Sequence, residues 1–125
     1  MNATITLLLV LNACHWIGDF THASRPWMLA AKRTGKPLLP IFFHALVHAV
    51  LMGIACWIML GVEAADTAFW IQLPTHFAID VLKGRMNGWF PAIQDPTKYP
   101  HWYVFGADQI AHQVVIIAIT FIAIS

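Results

Sequence analysis

Four times in this chain two side chains able to ligate a metal stand four residues apart, each time in a different apolar stretch. The pairs are His15/Asp19, His44/His48, His76/Asp80 and Asp108/His112. A step of four along an α-helix turns through about 400°, so both members of a pair share one face. Seven histidines and five aspartates scattered over 125 residues would give roughly one such pair. The pattern therefore asks for four helices, each an apolar rod with one polar face, and for a fold that brings those faces together.

Composition says what surrounds the rods. The chain is 59% hydrophobic and 10% charged, where a soluble domain carries about a quarter charged residues. The expected fold is an all-α integral membrane four-helix bundle, one domain over residues 1–125 with the lipid bilayer as its solvent. Its expected spans are residues 4–20, 39–61, 66–82 and 102–124. The second holds no charged residue, and the third is the most polar, with Gln72, Pro74 and Thr75. Trp16, Trp70 and Trp102 stand near span ends, where interfacial anchors belong. A net charge of +1 leaves no footprint for a nucleic-acid partner. Cys14 and Cys56 lie at different depths and are expected as buried thiols, not a disulfide. No Lys or Arg precedes Arg25, so the first segment lacks the charged start of a secretory signal and is expected to be retained.

Every Lys and Arg falls in one of two places: Arg25, Lys32, Arg33 and Lys36 after the first segment, and Lys83, Arg85 and Lys98 after the third. The second connection carries Glu63 and Asp66 instead. The positive-inside rule puts both basic loops in the cytoplasm and both termini on the outer side of a multi-pass protein. At 1.5 Å per residue the four pairs then centre about 4 to 12 Å from the cytoplasmic ends of their spans, a single layer. The halves also echo each other, with a His-x3-Asp pair, a basic loop and a second pair in each. This spacing predicts two pseudo-symmetric helical hairpins related by an axis along the membrane normal.

Ionisable side chains inside a span are costly and by default mark function. A dinuclear centre relieves the cost, with His15, Asp19, His44, His48, His76, Asp80, Asp108 and His112 as ligands. Two divalent metal ions bring four positive charges; three aspartates and a bridging hydroxide cancel them. Imidazole with carboxylate suits zinc first, and iron or manganese as well. Three other arrangements stay open: a mononuclear site, plain ion pairing between helices, and axial ligation of haem, which the aspartates disfavour. Asn12, Thr75 and Gln109 adjoin the ligands and are candidate supports. Lys83, three after Asp80, is expected either to neutralise it or to hold an anionic substrate group. His22 lies just past the first segment as a candidate for proton transfer, and His101 is expected at the surface.

Three function classes follow. The leading one is a metal-dependent hydrolase acting on an amphiphilic or lipid-borne substrate at the cytoplasmic face, water activated by the metals attacking directly. The second is a di-iron oxidoreductase acting on a lipid or quinone. The third is an ion or metal transporter, or a small structural subunit of a membrane complex; a homo-oligomer is open too.

Taken together, His15-Trp-Ile-Gly-Asp19-Phe20, Trp27-Met28 with Lys32, His44-x3-His48, His76-x3-Asp80-x2-Lys83 and Asp108-Gln109-x2-His112 resemble the uncharacterised bacterial membrane proteins of domain-of-unknown-function family 3307. The resemblance runs from His15 to His112. It implies a small multi-span protein of the bacterial inner membrane that shares these His and Asp positions, and it implies no activity. A Gln usual in that family four residues after the first Asp is replaced here by Ala23.

Overall fold

A computed structural model describes residues 2–125; residue 1 of the expected domain lies outside the described residues. The chain is all-helical there, with no strand among the described residues. Its helices are α1 (Ala3–Phe20), α2 (Pro26–Thr34), α3 (Leu38–Leu60), α4 (Val62–Trp89) and α5 (Tyr99–Ile124), with a 3-10 turn at Pro91–Gln94. Local chemistry marks the boundaries. The Asn2 side chain accepts from the Thr4 N–H at 2.9 Å and caps α1. Pro26 starts α2, where its missing N–H costs nothing, and Gly35 ends it at φ 68°. Gly61 joins α3 to α4 alone at φ 104°, a backbone conformation that residues with a Cβ rarely adopt, and its N–H returns to the Cys56 and Trp57 carbonyls.

The long helices form a closed ring. α1 packs on α3, α3 on α4, α4 on α5, and α5 back on α1, with the α3–α4 contact the most extensive. The short α2 lies across α3 and α4 at one end. Gly84 makes that crossing close, because a Cβ there would run into the Gly35 backbone and the Lys32 carbonyl. In the half of the ring away from α2 the interior is apolar, built from Leu7, Leu11, Met52, Cys56, Ala68, Ile116 and their neighbours. Both cysteines are free thiols, as the sequence leads one to expect.

Three described helices, α1, α3 and α5, are long and apolar enough to cross a membrane, which points to a membrane protein. The expectation of four such segments is corrected to three. Where residues 66–82 were expected, α4 runs unbroken for 28 residues. It carries Gln72, Thr75, His76, Asp80, Lys83 and Arg85, too much polarity for a free-standing span. Pro74 does not break it; the Thr75 hydroxyl donates to the Ile71 carbonyl at 2.6 Å in the turn around the proline. The halves also differ in their basic loops. The first contains α2, which no expectation included, whereas the second contains only the 3-10 turn.

Candidate metal centre

Each of the four long helices turns one pair inward at the α2 end of the ring. His44, His48, His76 and Asp80 are fully buried there, and His15, Asp108 and His112 nearly so. All eight side chains singled out by their spacing meet in one layer. Asp19 Oδ1 lies 3.1 Å from His44 Nε2 and 3.2 Å from His48 Nε2, and Asp19 Oδ2 lies 3.4 Å from His15 Nε2. Asp80 sits at the centre, with Oδ2 3.1 Å from His76 Nε2 and 3.3 Å from His44 Nε2, and Oδ1 3.4 Å from His112 Nε2. Asp108 lies at the edge, 3.6 Å from His112 Nε2. The rings press on one another: His48 and His76 stack with centroids 3.8 Å apart, and His76 and His112 lie 4.3 Å apart. Gly18 makes room for this, since a Cβ there would enter the His48 ring.

The spacing did not disclose the cation already in the layer. Lys32, carried in from α2, donates to Asp19 Oδ1 at 2.9 Å and stands 3.2 Å from Asp80 Oδ1 and 3.3 Å from His44 Nε2. Burial acts to discharge this ammonium, but the Asp80 and Asp19 carboxylates outweigh it and hold the pKa above lysine's ordinary range. Lys83 does not neutralise Asp80, as its position three residues on had suggested. Its ion partner is Asp108 on α5, at 3.4 Å, and its Nζ sits 5.4 Å from the centre of the Phe105 ring. Lys32 takes the role expected of Lys83.

Two further residues orient imidazoles from behind. Ser24 Oγ lies 2.7 Å from His44 Nδ1, and the Gln72 amide nitrogen lies 3.0 Å from His76 Nδ1. Gln72 Oε1 has no partner, and turning the amide over would let it accept the Nδ1 hydrogen of His76. With Nδ1 donating to Ser24 Oγ or to a turned Gln72 amide, Nε2 of His44 and His76 would be the nitrogen left to face the layer, the tautomer a metal requires. Of the expected supports only Gln109 reaches a ligand, donating to Asp108 Oδ2 at 3.1 Å. Asn12 and Thr75 instead donate to carbonyls of their own helices, Leu8 and Ile71. His22 makes no hydrogen bond or ion pair among the described residues. His101, expected at the surface, is half-buried, with Nδ1 2.7 Å from the Ile93 carbonyl.

The donor set fits a metal. The Nε2 atoms of His15, His48, His76 and His112, both Asp80 oxygens and Asp108 Oδ1 are buried with no aligned hydrogen-bond partner. Such atoms are costly unless something else satisfies them. They fall into three overlapping groups whose ligand atoms lie within 4.8 Å of one another: Asp19, His44, His48 and His76; His15, His76 and His112; and Asp80, Asp108 and His112. A divalent ion in any of these would replace missing hydrogen bonds with coordination.

The chain belongs to the family described as Protein of unknown function (DUF3307), whose pattern matches residues 5–125. No curated protein and no solved structure matches it.

Proposed function

We propose that this member of the family is a membrane-embedded, metal-dependent hydrolase acting on an amphiphilic substrate at the cytoplasmic face. The observation that carries the reading is the position of the ligand layer. Asp19 and Asp108 belong to it and also line a cleft of about 330 Å³, whose other walls include Lys32, Arg33 and Lys83. Through Asp19 and Asp108 the buried layer of imidazoles and carboxylates therefore reaches a cleft at the basic end of the molecule.

In this reading α4 is the fourth span. It tolerates its polar residues because α3 and α5 flank it, α2 crosses it, and its most polar face points into the layer. The exposed Trp57, Ile58, Ile110, Val114 and Phe121 on its neighbours would face lipid. The basic ends lie in the cytoplasm and both termini outside. Cysteine labelling at positions 33 and 98 should succeed only from the cytoplasmic side, and labelling from outside would overturn the orientation.

Lys32 alters the charge balance. With Lys32 and the Asp108 partner Lys83 both counted, one divalent cation and a hydroxide balance Asp19, Asp80 and Asp108, whereas two cations and a hydroxide would leave two positive charges over. We therefore assign one metal ion per chain at rest, zinc fitting the mixed donors best, with room for a second when an anion is bound. A metal here would lower the pKa of a bound water and polarise a scissile ester, amide or phosphoester bond. The protein's own part is to hold the donors, present Asp108 to the cleft and exclude water from below. The transporter class is disfavoured because the fully buried Leu7, Leu11, Met52, Ile116 and Ile119 fill the ring interior beyond the layer. The oxidoreductase class would be favoured by bound iron with a visible absorption that responds to reductant. The test is turnover of ester and phosphoester lipids in mixed micelles. Activity lost on chelation and restored by zinc is expected; turnover indifferent to chelator would overturn the proposal.

A further inference from the structure

Three concavities meet at one side chain. The cleft over the ligand layer is the first. A second chamber of about 360 Å³ continues it outward, lined by Arg33, Asn87, Gln94 and His101 among others. The third is different in kind: an apolar groove of about 280 Å³ between α4 and α5, lined by Ile79, Leu82, Met86, Val104, Ala107 and Ala111. Lys83 lines all three, and Asp108 lines both the groove and the cleft. The junction of apolar and polar space is thus marked by an ammonium group.

Arg33, on the cleft wall, forms no ion pair among the described residues, and the partner of Lys83 is a single carboxylate at 3.4 Å. The cleft wall carries Lys32, Arg33 and Lys83 against Asp19 and Asp108, so the charge left over is positive. The amides of Asn87 and Gln94 stand beside them with one N–H each given to a backbone carbonyl. Donors arriving from several directions suit a tetrahedral oxyanion better than a planar carboxylate, which a single guanidinium would satisfy. Beyond Lys83 and Asp108 the groove is almost wholly apolar, and it lies between α4 and α5 on a face that would meet lipid.

We infer that the α4–α5 groove and the Lys83–Arg33 cleft form one subsite for a phosphate-bearing lipid. The acyl chain lies along Leu82, Val104 and Ala107 and the phosphate rests between Lys83 and Arg33. The substrate enters sideways from the cytoplasmic leaflet, its polar–apolar junction at Lys83 and its headgroup beside Asp108. The inference rests on the hydrolase reading for its purpose but not for its geometry.

The experiment is native mass spectrometry of the full chain released from micelles containing equal phosphatidic acid and diacylglycerol, its phosphate-free counterpart, of matched acyl chains. Phosphatidic acid should be retained about tenfold more, the discrimination one charge-assisted contact supplies. Lys83→Met and Arg33→Met should each remove that preference, and Lys83→Arg should keep it. Ala107→Trp, which fills the groove, should lower retention of both lipids. Each variant is compared at unchanged helicity, and Lys83→Arg serves as the folded control for its position. Equal retention of the two lipids, or a preference undisturbed in Lys83→Met, would overturn the subsite. Full displacement by millimolar inorganic phosphate would also overturn it, by showing a free-phosphate site. His48→Ala separates the two readings. A preference that survives in that variant after its metal is lost upholds the subsite whether or not the chain is a hydrolase; a preference absent from metal-loaded protein sinks the subsite and leaves the hydrolase standing.

Discussion

The two halves of the helical ring use the same four rods, yet they are held together differently. In the half away from α2, Leu7, Met52, Cys56, Ala68, Ile116 and Ile119 meet with no polar atom to satisfy except those of the backbone and Thr120, whose hydroxyl donates to the Ile116 carbonyl. In the other half, the same rods present five imidazoles and three carboxylates, and a lysine from a fifth helix completes the set. Apolar packing accepts many solutions of similar volume. A buried charged layer accepts few, since each member left alone is costly. The polar half fixes the register of the four helices, and the apolar half fills the space that register leaves.

Substitutions can break this contrast in order of size. Asp80→Asn should have the largest effect. The residue is fully buried and faces Lys32, His44, His76 and His112, so its loss leaves Lys32 with Asp19 alone and a buried charge set out of balance, and should cost about 3–5 kcal/mol. Thermal unfolding in detergent should show the loss, and metal content should fall with it. Leu7→Ala, in the apolar half two turns from His15, should cost about 2 kcal/mol, the low end for a buried leucine because lipid rewards burial less than water does. Its metal content should be unchanged; a metal loss equal to that of Asp80→Asn would erase the distinction between the halves. Gly18→Ala should cost about 1–2 kcal/mol by forcing a methyl into the His48 ring, and should weaken metal retention more than its stability loss alone implies. Asp95→Ala lies outside both halves, in an exposed turn where Asp95 accepts from Thr97 and pairs with Lys98 at 3.7 Å. Neither melting temperature nor metal content should move resolvably.

The site was more legible than the fold around it. A spacing of four inside apolar stretches is a helical signal, and it found His15, Asp19, His44, His48, His76, Asp80, Asp108 and His112 because all eight obey it. Lys32 does not. It sits in a stretch that reads as a basic loop, and nothing four residues from it repeats the pattern. A signal was there all the same: Pro26 at the start, Lys32 and Arg33 in the last turn and Gly35 just beyond are the start and stop marks of a short helix. Ser24 reaches His44 Nδ1 from the loop between α1 and α2 and leaves no periodic trace, whereas Gln72 stands four before His76 and obeys the spacing but is not a metal-ligating residue type. The third segment qualifies on its length, but residues 66–82 belong to a 28-residue helix whose Gln72, His76, Asp80, Lys83 and Arg85 keep it out of the apolar class of α1, α3 and α5.

Elemental analysis of the full chain, purified in detergent without chelator, tests the central claim most directly. The account predicts one divalent transition metal per chain, absent from Asp80→Asn and retained by Leu7→Ala. Protein that is folded and carries no stoichiometric metal would contradict it, and would leave the layer as a network of ion pairs closed by Lys32.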